Sequence, residues 1–415
     1  MKHTLTVLLL LTPLMLHSQP RYAAIGEYPF VRYASNTLQI DTLSPSMQRF
    51  FTKWQTMVGH GRGNVNIVHI GGSHVQAGTL PNTIRVNLLS AYPSLIGSRG
   101  MIFPYSAAAR CNNPPDYRVR CQQKMQLTRN VHKEYTQPLG LCGIAVTAAD
   151  THTEISIQLN EPRINYATHY VVLLGRSSSG VIPRLRVGSH ENYPSYIDNL
   201  SGRYIFNLSS TTDSFTLVLP CRSGEQFTVN GIYLGNRLPG ISYHSIGVNG
   251  ASVSDYLRCH HFTADLRMLQ PDLVVFGIGI NDAVPSNFDT AAFRRNYLML
   301  VDSIRRVNPD CAFIFITNND SFRKLNRRHY SVNTNGLLAR EAFYRIARSC
   351  GGAVWDQFEV MGGLRSMDTW RKAGLAQSDR IHFTTAGYQF IGNLFSDALL
   401  KAIADHTTAF PTPAP

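Results

Sequence analysis

The sequence predicts an α/β protein in which a doubly wound parallel sheet is interrupted by an inserted all-β sandwich. Three observations carry this. Apolar strand-like runs alternate with helical stretches before about residue 105 and again from residue 236, the pattern of a parallel sheet. Over 106–235 the character changes to short alternating runs separated by Asn, Gly, Ser and Pro, with no long helix between them. At 415 residues the chain can bury one large core or two ordinary ones.

The elements follow in order. Residues 1–18 combine a basic start (Lys2), an apolar run from Leu5 to Leu16 and small or polar residues near Ser18. That reads as a cleavable signal peptide, too short for a membrane span, and predicts an exported protein, periplasmic or secreted. No periodicity is clear from Arg21 to Asp41. Ser44-Pro45 then opens a helix carrying Met47, Phe50, Phe51 and Trp54. A strand over Val65–Ile70 ends at Gly71-Gly72-Ser73-His74, and a helix follows through Ile84, Val86, Leu88 and Leu89. Residues 19–105 thus make the first part of the α/β domain.

The sandwich, 106–235, is read from alternating runs at Thr153–Leu159, His169–Leu174, Pro183–Val187, Tyr204–Leu208, Ser214–Leu219 and Phe227–Tyr233. Its pattern implies a core of its own, separable from the rest. Residues 236–405 return to the α/β pattern. Strand 241–248 leads to a helix at Ser254–Leu269, and strand 273–277 to a helix at Asp289–Val307. Strand 312–317 leads to a basic helical stretch over 320–350, and strand 353–355 to a turn at Asp379 and His382. A last helix spans Thr385–Ile403. The Thr/Pro-rich tail, 406–415, reads as disordered.

The chemistry concentrates at strand ends. Ser73 follows a buried strand on a tight turn, where open α/β sheets keep their active sites. Asp379-Arg380-Ile381-His382 places a carboxylate three residues before a histidine, within reach in a turn. Such a histidine can take a serine proton while the carboxylate fixes its tautomer. Gly250, in Gly247-Val248-Asn249-Gly250, and Asn281, in Gly279-Ile280-Asn281-Asp282, offer the N–H donors of an oxyanion hole. Each feature alone has a plainer explanation: a strand-to-helix turn, a helix cap or a turn glycine. His69 is read as a strand histidine, and His74 as a residue lining the pocket.

Taken in order, these four blocks resemble the SGNH (GDSL-type) hydrolase superfamily. Ser73 matches its nucleophile, Gly250 and Asn281 its second and third blocks, and Asp379 with His382 its D-x-x-H. The resemblance implies a three-layer α/β fold and ester hydrolysis, with Ser73, Asp379 and His382 catalytic. The Ser73 N–H, the Gly250 N–H and the Asn281 amide would form the oxyanion hole. No metal or organic cofactor is needed. One position departs: the family has an acid before the serine, and this chain has Gly72.

Gly250 lies much further beyond Ser73 than the ~30 residues of one βα unit, so an inserted domain explains the gap. A sandwich at that point is similar to the arrangement in peptidoglycan and carbohydrate O-acetylesterases of this superfamily, where it looks like a carbohydrate-binding module. Lys and Arg number 39 against 26 Asp and Glu, a formal net charge of +13, which favours anionic partners such as cell-wall or surface polysaccharides. No nucleic-acid-reading motif accompanies the charge. The expectation is an exported serine esterase removing O-acetyl groups from an acetylated, anionic carbohydrate polymer. Alternatives are a lipase or esterase for lipid or small acyl esters, and a glycan-binding protein without activity. Seven cysteines fit an oxidising compartment. Candidate pairs are Cys311 with Cys350, Cys111 with Cys121 and Cys142 with Cys221, leaving Cys259 unpaired. No zinc-ligand spacing occurs.

Overall fold

Six strands form the central sheet in the order Leu38–Gln39, Ala353–Trp355, Ala312–Ile316, Leu273–Gly277, Asn64–Gly71, Gly240–Gly247. All neighbours are parallel except the two-residue edge strand Leu38–Gln39, which runs antiparallel to Trp355 and Val354. The computed structural model of the chain describes residues 21–409 apart from 42–43, 110, 136, 150 and 327–328. The signal peptide read in 1–18 and the last residues of the tail lie outside the described residues.

The strands are buried on both faces, as parallel sheets must be. Val65 and Ile67 face one side with Tyr243, Val275 and Ile314; helices Pro45–His60, Thr79–Ser90 and Thr385–Ala409 cover them. Val68 and Ile70 face the other side with Phe276, Phe313 and Phe315. There the helices Val253–Leu257, Phe262–Leu269, Thr290–Arg305 and Asn335–Cys350 supply the cover. This is the three-layer arrangement. Sequence signals set several helix limits: Ser44 Oγ accepts from the Met47 N–H with Pro45 at the first helical position, and Asp289 caps Thr290–Arg305.

The inserted region forms two antiparallel sheets. One is five-stranded and runs from His190–Asn192 through Arg184–Val187, Ser214–Pro220 and His152–Leu159 to Tyr117–Cys121. The other contains Tyr196–Asp198, Arg203–Thr212, Thr168–Ser177, Gln226–Gly235, Ile144–Ala149 and Gln126–Arg129. In His152–Leu159, Thr153, Ile155 and Ile157 point inward while Glu154, Ser156 and Gln158 point out, the alternation that marked it in the sequence.

Four expectations about the elements are corrected. Gly100–Ile102 already pairs with Gln226–Gly235, so strand pairing in the sandwich reaches upstream of residue 106. Its core is not separate: Val146, Phe206 and Leu217 belong to one buried cluster with Val68, Ile70 and Phe276 of the central sheet. Arg85 of the helix Thr79–Ser90 and Arg99 both meet Asp116, at 3.1 and 2.6 Å, with all three side chains 1% exposed. The basic stretch 320–350 is helical only from Asn335; Phe322–Lys324 and Tyr330–Val332 pair as a hairpin. The last helix continues to Ala409, so 406–409 are not tail.

No disulfide joins any of the seven cysteines. The thiols have other neighbours: Cys121 Sγ lies 2.9 Å from Gln123 O, Cys311 Sγ 3.4 Å from Ala312 O and Cys350 Sγ 3.7 Å from Ala347 O. Among the described residues no helix is long and apolar enough to cross a membrane.

Candidate active site

Gly71 at the end of its strand is flanked in register by Gly247 on one side and Gly277 on the other. This glycine row lets the next turn sit down on the sheet. A Cβ on Gly71 would lie 2.2 Å from Val75 Cγ2, and one on Gly247 2.3 Å from the Gln76 nitrogen. The short helix Ser73–Gln76 therefore packs directly onto the strand ends, with Ser73 at its first position. Gly72 has φ −97°, outside the left-handed conformation that glycine favours.

Ser73 Oγ lies 2.7 Å from His382 Nε2, and His382 Nδ1 lies 2.7 Å from Asp379 Oδ2. The three residues predicted from opposite ends of the chain are brought into one line. The other oxygen, Asp379 Oδ1, accepts from the backbone N–H groups of Ile381 and His382, each at 3.0 Å. Burial works against the charged carboxylate. The hydrogen bonds from the His382 ring and these two N–H groups outweigh it and hold the Asp379 pKa down, to about 2. Asp379 is thus an anion wherever His382 must accept a proton.

Gly250 is exposed at φ +85°, a left-handed turn position, and an added Cβ there meets only Val131 Cγ1 at 3.9 Å. Among the described residues nothing accepts the N–H of Ser73 or Gly250. Asn281 begins beside them: its Nδ2 donates to the Ala251 carbonyl at 2.9 Å and would lie 3.4 Å from a Cβ at position 72. One N–H of that amide braces the Gly250 loop and the other remains for a ligand. The adjacent Asp282 accepts from the Val253 N–H at 3.2 Å, and burial raises its pKa to about 7.

His74 lines a cavity of about 30 Å³ behind the serine turn with Thr317, Asn318, Gln357 and Phe383. Its Nδ1 pairs with Tyr388 Oη at 2.8 Å, and its ring centroid is 5.2 Å from that of His382. Burial, then the nearby His382, lowers the His74 pKa to about 3, so His74 stays neutral. His69 is a core histidine as expected, fully buried with Nδ1 2.9 Å from Tyr243 Oη.

Three contributors escaped the sequence reading. Gln76 stands one helical turn after Ser73, and its Oε1 accepts the Asn249 N–H at 2.6 Å. The Ser-x-x-Gln spacing was the available signal. Tyr388, in the last helix, and the hairpin beside Arg380 carried no recognisable pattern. Among the described residues no group of His, Cys, Asp or Glu is placed to hold a metal ion.

Residues 213–390 match the model of the GDSL-like lipase/acylhydrolase family. That stretch is similar to a GDSL-type hydrolase domain. The matched stretch holds Gly250, Asn281, Asp379 and His382, while Ser73 falls before it, on the far side of the sandwich. A solved structure described as a peptidoglycan O-acetylesterase is similar over 87% of this chain and 98% of its own, with TM-score 0.73 and 20% identity. That likeness extends the fold match across the sandwich. An acetyl xylan esterase matches 39% of this chain and 80% of its own at 18% identity and TM-score 0.30. A family two carbohydrate esterase from Cellvibrio japonicus matches 70% and 98% at 11% identity and TM-score 0.29. No curated protein sequence matches the chain. The candidate nucleophile and base of this chain are already in hydrogen-bond contact.

Proposed function

We propose that this SGNH hydrolase is an exported serine esterase that removes O-acetyl groups from an anionic carbohydrate polymer, peptidoglycan or a surface polysaccharide. The observation that carries the reading is the continuous line from Ser73 Oγ through His382 to Asp379, 2.7 Å at each step. In the reaction Ser73 Oγ forms a bond to the acetyl carbonyl carbon as its proton passes to His382 Nε2. Asp379 holds the Nδ1 proton and stabilises the imidazolium. The oxyanion is met by the Ser73 and Gly250 N–H groups and the free N–H of the Asn281 amide. His382 then gives its proton to the sugar oxygen as the C–O bond breaks. Water, deprotonated by the same histidine, releases acetate from the acetyl-serine.

The polymer rests on two supports. The structure similar over nearly the whole chain is described as a peptidoglycan O-acetylesterase. The formal charge of +13 favours an anionic substrate through long-range attraction. Acetate release from a panel of acetylated peptidoglycan, acetylated polysaccharides and lipid esters tests it, with Ser73→Ala alongside. Release from the anionic glycans, lost in Ser73→Ala, is expected. Preference for long acyl esters would make it a lipase. Glycan binding with no Ser73-dependent turnover would make it a binding protein.

A further inference from the structure

Arg380 sits between the carboxylate and the histidine of Asp379-Arg380-Ile381-His382 in the left-handed conformation, φ +59°. Side chains other than glycine rarely adopt it, and such residues persist only where the surroundings over-determine them. Both its backbone and its side chain are engaged. Its N–H donates to Gln377 O at 3.2 Å, and its carbonyl accepts from the Phe322 N–H at 3.1 Å. The guanidinium lies over the rings of Tyr330 and Phe322, 4.7 and 5.0 Å from their centroids, and its Nε is 3.3 Å from Asp368 Oδ1. Two separate elements, the hairpin 322–332 and the helix Ser366–Lys372, thus grip one side chain.

The grip has a geometric product. With Arg380 turned left-handed, the chain folds back so that both following N–H groups, Ile381 and His382, reach Asp379 Oδ1. The same reversal leaves Asp379 Oδ2 free to meet His382 Nδ1. The Gln377 N–H in turn donates to the His382 carbonyl at 2.8 Å, closing the loop from the other side.

We infer that Arg380 is a positioning residue: the Phe322/Tyr330/Asp368 clamp on its side chain holds the Asp379–His382 turn in register with Ser73. It touches no reacting atom and acts through its two neighbours. The inference rests on the triad reading above. A glycine at 380 adopts the same φ without strain, so Arg380→Gly separates the clamp from the backbone conformation.

The test is steady-state hydrolysis of p-nitrophenyl acetate by Arg380→Gly, Arg380→Ala, Arg380→Lys and Asp368→Asn, with melting temperatures measured in parallel. Arg380→Gly and Arg380→Ala should lose kcat by roughly 10–100-fold, since small misplacements of catalytic groups are costly. KM should move less than about twofold, because ground-state binding is untouched. Arg380→Lys keeps a cation over the rings and should recover part of the loss. Asp368→Asn should weaken kcat and add little to Arg380→Ala, since both break one clamp. Unchanged kcat in Arg380→Gly overturns the inference, as does a raised KM at constant kcat, which would make Arg380 a substrate contact. A kcat loss that tracks melting temperature with no recovery in Arg380→Lys overturns it as well. Ser73→Ala in the same assay keeps the two readings apart: wild-type turnover there would remove the triad itself, whatever Arg380 does.

Discussion

The Asn249 N–H donates to Gln76 Oε1 at 2.6 Å, joining the loop that carries Gly250 to the helix that carries Ser73. Nucleophile and oxyanion donor are therefore fixed to each other through one buried side chain, 5% exposed. Gln76→Met keeps the volume and removes the acceptor. It should lower kcat for p-nitrophenyl acetate by about 10-fold or more with KM little changed, because the Gly250 N–H loses its placement. An unaltered kcat would show the loop to be held without Gln76.

Asn281 bears two tasks, bracing Ala251 and offering its second N–H to the oxyanion. Asn281→Ala should reduce kcat by roughly 10²–10³, the usual loss for one oxyanion donor. Kinetics at fixed temperature, set beside a melting curve, decide between the tasks. A fall in stability alone would leave Asn281 as a brace.

Gly72 stands where the family has an acid, and its φ is negative. A Cβ there meets Asn281 Nδ2, Ala251 O and Val248 O at 3.4, 3.5 and 3.8 Å, ordinary contact distances. Gly72→Asp should keep or raise ester turnover. Lost activity at unchanged melting temperature would mean that the new carboxylate captures the Asn281 amide.

Asp116 is the carboxylate between two buried guanidiniums, both of them on the first part of the α/β domain. Asp116→Asn leaves both uncompensated and should cost on the order of 3–5 kcal/mol. The shared core makes the same point on a larger scale: excising 106–235 should give no cooperatively folding remainder, and the intact chain should unfold in one calorimetric transition. Two resolved transitions, or a soluble active remainder, would separate the sandwich after all.

Asp282 gives stability a pH signature. Its folded pKa, about 7, lies above the ordinary carboxylate value, so the folded state binds the proton more tightly than the unfolded chain. The associated stability is complete below about pH 4 and is lost as pH rises through 7. Between pH 5 and 8 the wild-type melting temperature should therefore fall more than that of Asp282→Asn. Parallel pH profiles for the two proteins would contradict it.

Much of this was legible in the sequence because chemistry and strand ends coincide. Ser73 and Asn281 each follow an apolar run, and the run dictates where the turn faces, while the D-x-x-H pair is legible from its spacing. The sandwich strands with clean alternation, such as His152–Leu159 and Ser214–Pro220, were equally plain. Ile144–Ala149, buried along nearly its whole length, has no alternation to read. The hairpin at 322–332 reads as helix in the sequence because its charges mask two three-residue strands. The cysteine pairs failed for a different reason: sequence spacing says nothing about which thiols face each other, and none of them is bridged here. Gln76 and Arg380 act through backbone groups of their neighbours, which leave no trace in side-chain pattern.

The strand that ends in the nucleophile sits between Gly240–Gly247 and Leu273–Gly277. During synthesis it emerges first, and the entire sandwich is made before either neighbour exists. Until then both its edges are open, the condition in which strands pair with other chains. Closure of the sheet joins residues far apart in sequence and is slow for that reason. A chain halted anywhere in the sandwich would carry Ser73 and none of its partners. Catalytic competence is the last property this polypeptide acquires, arriving only when the chain has passed His382 and the sheet has closed on both sides of the strand that leads to Ser73.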